Sequence, residues 1–149
     1  MFGYAGERLL LTLWVGALWS IGYLAVPVAF ATLDQTTAGN YAGVLFRIVN
    51  IMGQVCGAVL IISKLYVYRL QARQYWRFWM LVAMVAITLL FSFYLHPEMA
   101  QIKQQPWHSD PQLSARFSQL HMISENVYLL LSALGMILVL SNDKTEQTK

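Results

Sequence analysis

"GVLFRIVNIMGQVCGAVLIIS", residues 43–63, is the stretch on which the fold turns. As a helix rising 1.5 Å per residue it spans roughly 30 Å, the thickness of a bilayer's hydrocarbon core. Strand is excluded, because an open strand edge cannot satisfy its backbone in lipid. Yet the stretch holds Arg47, Asn50 and Gln54. A charge near the bilayer centre costs about 2.5–3.5 kcal/mol on insertion scales, so Arg47 needs an explanation.

Three further apolar segments flank it. The four spans run over about 9–30, 42–63, 78–95 and 120–140, followed by a polar tail over 141–149 that reads as disordered. The composition agrees: 58% of the 149 residues are hydrophobic and 11% are charged, against about 25% charged for a soluble domain. The mean hydropathy is +0.51. The expected fold is therefore all-α, a single integral-membrane four-helix bundle. The first span also resembles a signal peptide ending at "AFA" (29–31). It is longer than a signal h-region and carries Trp14, Trp19 and Tyr23, so it is read as a retained helix.

Orientation follows from "KLYVYRLQARQYWR" (64–77). It holds Lys64, Arg69, Arg73 and Arg77 and no acid, so the positive-inside rule places it, and both termini, on the cytoplasmic side of the membrane. Tyr75, Trp76 and Trp79 supply the inner aromatic belt. The loop is too short and too closely flanked by spans for a nucleic-acid surface. On the outer side, Pro97 is expected to end or kink the third helix. "SDPQ" (109–112) starts the fourth, with Asp110 as cap and Pro111 in the first turn. That helix then projects above the membrane before crossing it. No internal repeat is visible.

The polar residues fall into stripes. Arg47, Asn50 and Gln54 share one face of the second helix, and Gly53 and Gly57 form a GxxxG that admits a close neighbour. His121, Ser124, Glu125 and Tyr128 share a face of the fourth, and Ser132 continues it. Thr88, Ser92 and His96 align on the third, and Gly16, Ser20, Tyr23 and Pro27 on the first. Arg47 is the only base and Glu125 the only acid within the spans, about one and a half turns below the outer boundary. They are expected to pair. Such a pair is read either as glue between helices or as part of a ligand, proton or ion site. His96 and His121 would mark the outer mouth, and His108 a solvated loop position.

"LWVGALWSIGYLAVPVAF" (13–30), "AGNYAGVLF" (38–46), "HPEM" (96–99) and "FSQLHMISENVYLL" (117–130) resemble the bacterial members of the transmembrane-protein-205-like family. The positions carrying the resemblance are Gly16, Pro27, Phe30, Gly39, Gly43, Phe46, His96, Pro97, Phe117, His121 and Ser124. It implies a small four-helix membrane protein of an uncharacterised family and supplies no reaction.

No phosphate loop, GxSxG or cysteine–histidine signature is present, and the one cysteine, Cys56, lies in an apolar run as an inert thiol. The favoured reading is not an enzyme and expects no cofactor. In it, an outer-facing polar pocket of Arg47, Asn50, Gln54, Ser92, His96, His121, Ser124, Glu125 and Tyr128 binds or passes a small solute or ion. Alternatively it presents a surface to a second copy or another membrane protein. The other reading is a redox protein holding haem or a metal through His96 and His121.

Overall fold

A computed structural model describes residues 4–106 and 109–141. His108 and the tail beyond Ser141 lie outside the described residues. The described residues are all-α, with four helices among them long and apolar enough to cross a membrane: α1 (Ala5–Thr32), α2 (Gln35–Tyr68), α3 (Trp76–Lys103) and α4 (Pro111–Leu140). Leu24, Ile62 and Phe93 are among many large apolar side chains left 60% or more exposed on the helix surfaces. Such faces require lipid, not water, around them, so this is an integral membrane protein.

Each helix boundary has a local cause. Asp34 accepts the Thr37 N–H at 2.8 Å and starts α2. Asp110 accepts the Gln112 N–H at 2.8 Å and starts α4 at Pro111, as the "SDPQ" signal requires. α2 ends at Arg69, whose φ of 49° is a left-handed conformation costly for a non-glycine residue. A 3₁₀ turn, Arg69–Gln74, then leads into α3.

The helices form a square: α1 touches α2 and α4, and α3 touches α2 and α4, while neither diagonal pair meets along its backbone. Trp14 fixes the centre. Its fully buried indole lies over the GxxxG of α2, where a Cβ on Gly53 would stand 2.4 Å from Nε1. Leu11, Val15 and Leu18 complete the face that α1 buries. Gly16 and Ser20 consequently point outward, contrary to the stripe expected on α1, because the bulk of Trp14 sets the rotation of that helix.

Pro97 does not end α3. The helix widens into a π-turn over Phe91–Leu95, where the His96 N–H reaches back to the Phe91 carbonyl, and it then continues to Lys103. α1 does the same before Pro27: a π-turn spans Ile21–Ala25, and the Val26 N–H reaches the Ile21 carbonyl. A proline ring clashes with the carbonyl four residues back, and one extra residue in the preceding turn relieves the clash.

These turns expose a repeat that the amino-acid identities hide. Pro27 and Pro97 lie 70 positions apart, as do Leu18 and Thr88, and Glu7 and Arg77. At the termini end, Glu7 of α1 binds Lys64 of α2 at 2.6 Å, and Arg77 of α3 donates to the Ser141 carbonyl that closes α4. At the other end an aspartate caps the second helix of each hairpin. The fold is thus two like hairpins, α1–α2 and α3–α4, each first helix carrying a π-turn ahead of its proline.

A cleft between two hairpins

Each π-turn is held by polar side chains of the next helix round the square. On α3, the Thr88 carbonyl accepts Asn50 Nδ2 at 2.9 Å and Gln54 Nε2 at 3.2 Å. Ser92 Oγ accepts the same two amides at 2.6 and 2.8 Å. Thr88 is fully buried and Asn50 nearly so. On α1, the Leu18 carbonyl accepts the Tyr128 hydroxyl at 2.6 Å. The Gly22 amide faces that hydroxyl, and a Cβ on Gly22 would lie 2.3 Å from the Tyr128 ring. Asn50, Gln54 and Tyr128, singled out from the sequence for a pocket, therefore have hydrogen-bonding work of their own. Each supplies donors to backbone near a widened helical turn.

Beyond the π-turns the hairpins part. Val26–Thr32 packs on α2 and His96–Lys103 packs on α4, with no backbone contact between the two hairpin tops among the described residues. The second top has a small core of its own, with Ile102 and Leu120 buried against Met99, Leu113 and Phe117, and an Arg116–Glu98 ion pair across it. Aromatic rings meet where the hairpins diverge. Tyr128 lies 5.0 Å from Phe46, 6.2 Å from Tyr23 and 6.4 Å from Phe91.

Arg47 stands on one side of this opening, one turn above Asn50. Its side chain is exposed, within electrostatic reach of half-buried His96, and it makes no ion pair among the described residues. His96 packs against Phe91 at 5.6 Å. The expected Arg47–Glu125 pair is absent. Their helices are diagonal in the square, and Glu125, 67% exposed, contacts His121 of its own helix at 3.2 Å. His121 stacks on Phe117 at 6.1 Å, and Ser124 only donates back to the His121 carbonyl. Arg47, Asn50, Gln54, Ser92 and His96 thus gather between α2 and α3. His121, Ser124 and Glu125 lie apart on α4. The two histidines have different neighbours, and no group of three metal-ligating side chains occurs among the described residues.

Spacing along the helices bears on the depth of Arg47. Lys64 is 17 residues further along α2, roughly 25 Å. On α3, Arg77 and His96 are 19 residues apart, roughly 28 Å. No charged residue occupies either interval, so each matches a hydrocarbon thickness. Arg47 and His96 each close an uncharged interval of that length. An arginine at the end of such an interval reaches the headgroup layer at less cost than one at the bilayer centre.

Sequence reasoning missed the Glu7–Lys64 and Arg77–Ser141 ties at the termini end. The signal was there: Glu7 is an acid just before an apolar run, and Lys64 a base at the close of another. Only their meeting in space makes them partners.

No curated protein and no solved structure matches the chain. The family model described as "Domain of unknown function (DUF4149)" matches residues 9–108, two thirds of the chain, from the second turn of α1 through the end of α3. The chain belongs to that family of unknown function.

Proposed function

We propose that this is a non-enzymatic protein of the bacterial inner membrane, with both termini cytoplasmic, that binds a small anionic group at the outer edge of the α2–α3 side of its cleft. One observation carries the reading: among the described residues Arg47 is a cation at the end of a long uncharged interval, exposed and without an ion pair. Arg47 supplies the charge and the planar donor fork, and His96 a second donor beside it. Asn50, Gln54 and Ser92 hold the helices beneath at fixed spacing. The base-rich loop supports the orientation. Exposed His121 and Glu125 on α4 are a candidate contact for a partner membrane protein or a second copy.

Haem or metal binding by His96 and His121 is the weaker reading, because a guanidinium beside His96 repels a bound cation. An absorption spectrum and metal analysis of the purified protein test it.

The anion reading is tested by thermal unfolding of detergent-purified protein in sodium phosphate, sodium sulfate and sodium chloride at equal ionic strength. The multivalent anions should raise the melting temperature of the wild type above chloride, and Arg47→Gln should lose that rise. Equal melting in all three salts refutes it.

A further inference from the structure

Resting on the anion reading, we propose that the group bound is the phosphate of a phospholipid in the leaflet at the Asp34/Asp110 end, gripped by Arg47 beside His96, with an acyl chain lying along Ile48, Ile51 and Val55.

Three observations carry this further than anion binding. The first is depth. Arg47 stands roughly 25 Å from Lys64 across an uncharged interval, close to the thickness of a hydrocarbon core. The second is direction. Helical side chains lean toward the helix N-terminus, and α2 begins at Gln35 on this side. The guanidinium is therefore carried outward, to the phosphate layer and away from the acyl chains. The third is what lies below. Val44, Ile48, Ile51 and Val55 recur at helical spacing and are each about half exposed, so an uninterrupted apolar track descends beside Arg47. A free inorganic anion uses the first feature alone. A phospholipid uses all three, its phosphate oxygens accepting two parallel N–H bonds from the fork.

The test uses the intact protein. Native mass spectrometry reads the phospholipid retained after extraction into dodecyl maltoside from phosphatidylglycerol membranes. The wild type should keep a bound phospholipid. Arg47→Gln should retain roughly tenfold less, the loss expected of one charge-assisted bidentate contact. Arg47→Lys, which keeps the charge but not the fork, should fall between. Arg116→Gln, at the same end, serves as the control for surface charge. If Arg47→Gln does not fold, the wild type alone decides. Dodecylphosphocholine should displace the retained lipid, and dodecyl maltoside, with the same chain and no phosphate, should not.

A wild type that retains no phospholipid, or an Arg47→Gln protein that retains as much, overturns the lipid assignment. If inorganic phosphate still raises the wild-type melting temperature in that case, the anion reading stands and only its lipid form falls. If it does not, both fall.

Discussion

Replacing Gly22 by alanine tests the joint between α1 and α4. The added Cβ would stand 2.3 Å from Tyr128 Cε1 and 2.9 Å from the hydroxyl oxygen. The ring cannot swing away freely, because its hydroxyl donates to the Leu18 carbonyl at 2.6 Å and its faces meet Phe46 and Phe91. Moving it strands a carbonyl, at about 1–3 kcal/mol, and loosens two aromatic pairs at about 0.5–1.5 kcal/mol each. Gly22→Ala should therefore cost about 2–6 kcal/mol. Tyr128→Phe, which loses only the hydroxyl, should cost about 1–3 kcal/mol. Once alanine has displaced the ring, removing the hydroxyl should matter little, so the double variant should be about as stable as Gly22→Ala alone. Equilibrium unfolding in mixed detergent micelles, followed by circular dichroism, measures all three. A Gly22→Ala protein within about 0.5 kcal/mol of wild type, or a double variant whose cost is the sum of the singles, would refute the insertion of Tyr128 into the turn.

Four further outcomes are expected. Glu7→Gln strands the buried Lys64 ammonium and should cost about 3–5 kcal/mol, while Glu7→Gln with Lys64→Met should recover part of it; a double variant worse than either single argues against the pair. Arg69→Gly should raise stability by about 1 kcal/mol by relieving the positive φ, and a fall in unfolding midpoint contradicts this. The Thr37 N–H beside Asp34 holds its carboxyl below the ordinary carboxylate pKa. That cap is therefore fully present above about pH 3.9 and is lost only as pH falls through the lower folded value, so the Thr37 amide shift should titrate with a midpoint below about 3.9. In a Cys56→Ser background, a cysteine at Gln71 should be protected from impermeant probes in intact cells, and labelling from outside reverses the proposed orientation.

Four spans, helical character and the start of α4 at Pro111 were legible because each rests on local chemistry. Eighteen or more apolar residues have no alternative to helix in lipid, and an aspartate ahead of proline caps a helix whatever surrounds it. The alignment of Thr88 and Ser92 on α3, and of Asn50 and Gln54 on α2, was equally visible, since it needs only the helical period. That these two stripes face each other follows from the square arrangement of helices.

The tertiary structure decided what period alone leaves open. Depth and rotation made Arg47 and Glu125 look like partners, but their helices sit on a diagonal of the square, and Glu125 is exposed beside His121 of its own helix, away from Arg47. Proline signalled an end or a kink in α3, and a single extra residue in the turn before it keeps the helix running. The two-hairpin repeat stayed hidden for a similar reason. What repeats is a backbone device, a widened turn held by a polar side chain from the next helix, and tyrosine serves one copy while asparagine and glutamine serve the other. Composition and spacing determine which segments enter the bilayer. Which polar groups meet there depends on helix order and rotation, and in this protein the bulk of Trp14 against Gly53 and Gly57 fixes the faces on which α1 and α2 meet.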